Sequence, residues 1–263
     1  MSRIADAFAA SANGKAFIPF ITAGDPTLEV TKQLVVAMAD AGADLIELGI
    51  PFSDPTAEGP VIQEANLRAL KNKVTTDDVF NMVAELRAQD CSVPLVIMTY
   101  ANVVFSYGIE RFAARQAELG MGGVILPDVP HEEKEEFSEA FAAAGLDVVS
   151  LIAPTSHERI REIAGDANGF VYIVSSLGVT GVRSEITTDI GAMVQLIREA
   201  NPQIPCAVGF GISTPEQAAR MAQLSDGAIV GSAIVRMIGE LGQDAVEPVA
   251  DYVREMAAAV HSV

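Results

Sequence analysis

The stretch FIPFITAGDPTLEVTKQLVVAMADAGADLIELG, running from Phe17 to Gly49, decides the fold. Its first six residues form an apolar, partly β-branched run. Residues from about Leu28 to Ala41 carry apolar side chains at helical spacing, and Asp44-Leu45-Ile46-Glu47-Leu48-Gly49 is a second strand-like run. A strand, a helix and a strand in this order imply a right-handed parallel crossover. The turn after the first run reads Thr22-Ala23-Gly24-Asp25-Pro26. An open doubly wound sheet built on a dinucleotide would carry Gly-x-Gly-x-x-Gly at that place.

Outward from this unit the same alternation recurs. Strand-like runs fall at Leu95–Met98, Gly123–Leu126, Asp147–Leu151, Phe170–Val174, Cys206–Val208 and Gly227–Val230, and each is followed by a helical pattern. Eight strand–helix units in about 250 residues predict a closed (β/α)8 barrel, a single domain over residues 1–263. An extra N-terminal helix is expected over Arg3–Ala10, capped by Ser2 and covering the bottom of the barrel. Thr214-Pro215-Glu216-Gln217 carries the cap, the first-position proline and the third-position glutamine of a helix start.

The 263 residues are half apolar, and their formal net charge is −18. A face that grips nucleic acid or an anionic membrane needs clustered basic residues, and this chain has little material for one. No apolar run approaches the roughly 20 residues of a membrane span, and no secretory leader is visible, so a cytoplasmic protein is expected. Cys91 and Cys206 lie far apart, and His131, His157 and His261 are scattered. Neither set has metal-ligand spacing, so no metal site is predicted.

In such a barrel the chemistry gathers at the C-terminal ends of the strands. Strand side chains alternate, so Leu45, Glu47 and Gly49 share one face and the aliphatic Ile46, Leu48 and Ile50 the other. The aliphatic set suits the helix layer, which points Glu47 into the barrel mouth. Burial there raises a carboxyl pKa and makes a candidate general acid/base. The long loop Pro51–Pro60 carries Glu58 at its far end, a second acid able to converge on a ligand. Three glycine-containing turns end consecutive strands: Gly178-Val179-Thr180-Gly181, Gly209-Phe210-Gly211-Ile212-Ser213 and Gly231-Ser232-Ala233-Ile234. Glycines let backbone amides approach phosphate oxygens, and a helix N-terminus adds aligned N–H groups. Such turns can bind a phosphate within an acidic protein.

These segments, with Phe20–Pro26, Glu47–Pro55, Tyr100-Ala101-Asn102 and Pro127-Asp128-Val129-Pro130, resemble the tryptophan synthase alpha subunit family, in order and over nearly the whole chain. The resemblance implies a lyase that cleaves indole-3-glycerol phosphate to indole and glyceraldehyde 3-phosphate by a retro-aldol reaction. It implies that Glu47 is the catalytic glutamate and Glu58 the second catalytic acid. Phe20, Tyr100, Tyr172 and Thr180 match substrate-binding positions, Thr180 on a lid loop. Gly181, Gly211, Gly231 and Ser232 match a phosphate cradle, and Asp54 and Asp128 match positions that face or support a partner. That partner is a beta subunit in an α2β2 assembly. Pyridoxal phosphate is expected on the beta subunit and no cofactor on this chain.

One position departs from the family pattern. Where the family reads Ala-Asp-Gly-Pro, this chain reads Ala57-Glu58-Gly59-Pro60. The carboxylate is kept one methylene further from the backbone, and a displacement of about 1 Å at a catalytic group can cost about 100-fold in rate. The alternative is therefore a catalytically weak subunit that senses a phosphorylated ligand and activates its partner. A sugar-phosphate isomerase or epimerase would explain the glycine turns. It would not explain the Pro51–Pro60 loop and Gly178–Gly181 together.

Overall fold

In the computed structural model, which describes residues 2–175, 189–209 and 211–263, eight parallel strands close into a barrel in sequence order. They are β1 (Ala16–Thr22), β2 (Ile46–Gly49), β3 (Leu95–Met98), β4 (Gly123–Ile125), β5 (Asp147–Ile152), β6 (Val171–Val174), β7 (Cys206–Gly209) and β8 (Gly227–Val230). Closure comes from β8 against β1, with Ala16 beside Gly227 and Pro19 beside Val230.

The helices alternate with the strands. The chain opens with α1 (Arg3–Ala10), and α2 (Leu28–Asp40) follows β1. The segment after β2 carries α3 (Pro60–Lys71) and α4 (Thr76–Ala88), and β3 leads into α5 (Ala101–Tyr107) and α6 (Ile109–Glu118). Then come α7 (Glu135–Ala143), α8 (His157–Gly165), α9 (Ile190–Ala200), α10 (Pro215–Leu224), α11 (Ser232–Leu241) and α12 (Val246–His261). Two of these depart from the sequence pattern, which gives one helix after β3 and one after β8. Gly108, at φ 95°, separates α5 from α6, and Gly242, at φ 59°, ends α11 before α12. A positive φ stops a helix, and glycine adopts it without steric cost.

Alternation along the strands divides the core in two. Phe17, Ile21, Ile46, Leu48 and Ile97 pack outward against the helices. Ile18, Phe20, Leu45, Val96, Met98 and Tyr172 fill the barrel interior. The N-terminal helix joins the interior set through Ile4 and Phe8, and the Phe8 ring lies 5.5 Å from that of Phe170. Ser2 caps this helix by accepting from the Ala5 N–H at 3.0 Å. The bottom of the barrel is thus plugged by apolar side chains, and the polar residues are left to the other end.

Candidate active site

Glu47 sits on β2 in register with Phe20 of β1 and Val96 of β3. It is 1% exposed, and neither carboxylate oxygen has a hydrogen-bond partner among the described residues. Burial pushes its pKa up to about 8, and the neighbouring charge of Glu58 adds to the rise. An unpaired buried carboxylate costs far more than a buried acid, so Glu47 rests protonated at neutral pH.

One cavity at the barrel mouth is lined by Glu47, Phe20, Tyr172, Gly211, Gly231 and Ser232, with Ile62, Met98, Ile212 and Ile229 as apolar walls. Six residues singled out in the sequence therefore meet in one place. The walls approach closely and enclose only about 30 Å³. A larger cleft of about 500 Å³ lies between the segments after β4 and β5. Its cations are engaged, Lys134 with Ser150 and Arg159 with Glu132, and it holds no buried pair of acids.

The glycines at the mouth serve the aromatic rings. A Cβ on Gly209 would stand 2.5 Å from the Tyr172 hydroxyl, and one on Gly49 2.8 Å from the Phe20 ring. On Gly231 it would approach Phe20 to 3.2 Å. Gly211 has a φ of 84°, which favours glycine on backbone grounds. Gly231 caps α11 without any side-chain hydrogen bond. The first-turn N–H groups of that helix have no intrahelical acceptor, and its first residue, Ser232, lines the cavity, an arrangement that can receive an anion.

Glu58 is 4% exposed and is held rather than loose. Asn66 Nδ2 donates to its Oε2 at 2.6 Å, and Gln63 donates to its backbone carbonyl at 2.7 Å. The Tyr100 hydroxyl also bonds its carboxylate and accepts from the Ala57 N–H at 3.2 Å. Burial pushes Glu58 up to about 7 against these hydrogen bonds, which favour the ionised form. Tyr100 thus stands with Glu58, and Phe52 stacks on its ring at 4.9 Å.

Asn66 was not picked out from the sequence. It also accepts from the Phe52 N–H at 3.4 Å, so one side chain touches the beginning and the end of the 51–60 loop. A signal was present: the buried face of α3 is Ile62, Ala65, Asn66 and Ala69, an apolar 3–4 spacing with one amide in it. Two residues on, Arg68 reaches Asp25 in the turn after β1 with two hydrogen bonds of 2.7 and 2.8 Å. This fastens α3, and the loop before it, to the barrel.

The other predicted positions divide. Asp54 is exposed and accepts from the Ser53 hydroxyl. Asp128 is exposed, and its carboxylate accepts from the Ala101 N–H at 3.1 and 3.2 Å, capping α5. Thr180 and Gly181 lie outside the described residues. Among the described residues no group of three or more His, Cys, Asp or Glu could hold a metal ion. No helix there is long and apolar enough to cross a membrane.

Comparison with known proteins follows the same chain boundaries. The profile of the tryptophan synthase alpha chain family matches residues 7–261. The tryptophan synthase alpha chain of Lactiplantibacillus plantarum is 49% identical over 249 residues, 94% of this chain and 93% of its own. That of Lacticaseibacillus casei is 46% identical over 260 residues, 99% of this chain and 96% of its own. Among solved structures, the tryptophan synthase alpha chain of Legionella pneumophila superposes with a TM-score of 0.88 at 38% identity, covering 100% of this chain and 98% of that one.

Proposed function

The chain belongs to the tryptophan synthase alpha chain family, and from that premise we propose how its own residues carry the family's reaction, retro-aldol cleavage of indole-3-glycerol phosphate. The supporting observation is the pair of buried acids in different surroundings, Glu47 with no hydrogen-bond partner among the described residues and Glu58 held by Asn66 and Tyr100. Burial raises both carboxyls, Glu47 to about 8 and Glu58 to about 7; Glu47 carries the proton to be transferred, and Glu58, whose hydrogen bonds favour its ionised form, carries the charge.

Glu47, protonated, gives its proton to indole C3. The resulting carboxylate takes the proton of the side-chain hydroxyl on the carbon bonded to C3. As that O–H is lost, its electron pair forms the aldehyde, and the C–C bond returns its electrons to the indole ring. Glyceraldehyde 3-phosphate and indole result, and Glu47 is protonated again. Glu58, ionised, accepts a hydrogen bond from the ring N–H as positive charge develops there. An interaction of this kind contributes about 1.5–3 kcal/mol. Phe20, Tyr172 and the apolar wall pack the ring, while the N-terminus of α11, with Gly211, Gly231 and Ser232, binds the phosphate. Thr180 and Gly181 complete the substrate and phosphate contacts on the family pattern.

Among the described residues that line the cavity none is a lysine, which suits a cleavage step carried by carboxyl groups. Pyridoxal phosphate belongs to the beta subunit, the partner we propose for a cytoplasmic complex. Its docking face includes Asp54, Asp128 and the α5 surface, where Phe105 is 48% exposed while packing at 5.0 Å on Phe137.

The pH dependence tests the division of roles. Activity requires Glu58 ionised, so kcat/KM rises as pH passes about 7; it also requires Glu47 protonated, so kcat/KM falls as pH passes about 8. The expected profile is a narrow bell whose limbs belong to the coupled pair. A flat profile between pH 6 and 9 would overturn the assignment.

A further inference from the structure

Tyr252 lies on α12, outside the barrel. Its hydroxyl donates to the Ser213 carbonyl at 2.9 Å. Ser213 follows Gly211 by two residues, in the turn that contributes Gly211 and Ile212 to the cavity wall. The remaining bonds of Ser213 are local. Gln217 Oε1 accepts from its N–H at 2.8 Å and its hydroxyl at 3.3 Å, and from the Thr214 N–H at 3.3 Å. Those bonds shape the turn as the start of α10. The Tyr252 bond ties it to a different element, whose buried face of Val249, Val253, Met256 and Val260 is packed into the core. Burial pushes the Tyr252 phenol up to about 12, so it remains a donor throughout the working pH range.

We propose that Tyr252 is a positioning residue for phosphate recognition, holding the turn after β7 at the height where its backbone meets the substrate phosphate. The inference rests on the phosphate-binding reading of Gly211 given above. Tyr252 bonds the Ser213 carbonyl, two residues past Gly211, so its effect falls first on the backbone of this turn, with Ile212 of the apolar wall moved less directly.

Tyr252→Phe removes the hydroxyl and keeps the packed ring. The loss of one neutral hydrogen bond at the turn predicts a rise of about 2- to 10-fold in KM for indole-3-glycerol phosphate. The dissociation constant of inorganic phosphate, read by phosphorus NMR titration, rises by the same factor, while kcat stays unchanged and the affinity for indole falls by less than that for phosphate. A purely structural role gives another pattern: a lowered unfolding midpoint, with phosphate and indole binding weakened equally or not at all. That pattern would overturn the proposal. So would unchanged phosphate affinity in a variant beside a wild-type chain that binds phosphate and cleaves substrate, and in that case the functional reading survives. A wild-type chain that binds no phosphate would remove both.

Discussion

Glu47 and Glu58 show how differently two acids of one strand–loop unit read from sequence. Alternation alone points Glu47 into the barrel, because its strand neighbours are aliphatic, and its burial follows. The carboxyl is held protonated up to about 8, against 4.5 for an ordinary glutamate. A raised carboxyl pKa gives stability that is full below the unfolded value and declines as pH rises toward the folded one, by about 1.4 kcal/mol per pH unit. Glu47→Gln removes that decline. The variant is expected to exceed the wild type by a few kcal/mol in urea unfolding at pH 8 and to match it near pH 4, while cleavage falls by about 10²–10⁴-fold. Equal stability at pH 8 would show that Glu47 is ionised and solvated. Glu58 is the opposite case, since nothing in the 51–60 loop tells how its extra methylene is accommodated. Asn66 supplies the answer from the next helix, at 2.6 Å. Glu58→Asp withdraws the carboxylate from that donor, and the expected result is a fall of about 10-fold or more in kcat/KM. A rise would mean that the longer acid impairs the chain.

Among the elements, strands and helix starts were legible because their signals are local. Thr214 and Gln217 form the capping box that their spacing predicts, and Ser2 caps α1. The break between α11 and α12, and the separate α5, were not legible, because a lone glycine inside an apolar periodic stretch is tolerated as often as it ends a helix. In sequence the glycines after β7 and β8 signal only a phosphate turn. Structure adds a steric reason, as Gly209 on β7 makes room for the Tyr172 ring of β6. No sequence spacing reveals that contact, which depends on two strands meeting in register. Gly209→Ala places a methyl group within 2.5 Å of the phenol. The expected outcome is a loss of about 1–3 kcal/mol in stability and of about 100-fold in kcat/KM as the ring is displaced. Thermal unfolding beside steady-state kinetics separates the two effects, and full activity in the variant would contradict the packing described.

At the scale of the whole molecule, a chain of net charge −18 is proposed to hold a phosphorylated substrate. Backbone N–H groups at α11 make this possible, because they attract the anion at short range while the surrounding carboxylates are screened beyond about 8 Å at physiological salt. The barrel carries the two acids, the apolar cavity wall and the proposed phosphate end on different strand–loop units, and closure of β8 on β1 sets Phe20 beside Gly231. The outer face around Asp54, Asp128 and Phe105 is the surface proposed for a beta partner. Phe105→Asp is expected to abolish stimulation by that partner while leaving cleavage by the isolated chain unchanged; retained stimulation would move the interface elsewhere. The most direct measurement is release of indole from indole-3-glycerol phosphate by the purified chain, alone and with a tryptophan synthase beta subunit. The account predicts indole and glyceraldehyde 3-phosphate in equal amounts, at a rate that rises with the partner and falls by about 10²–10⁴-fold in Glu47→Gln. Binding of the substrate with no indole released in either condition would contradict it and leave a phosphate-sensing subunit.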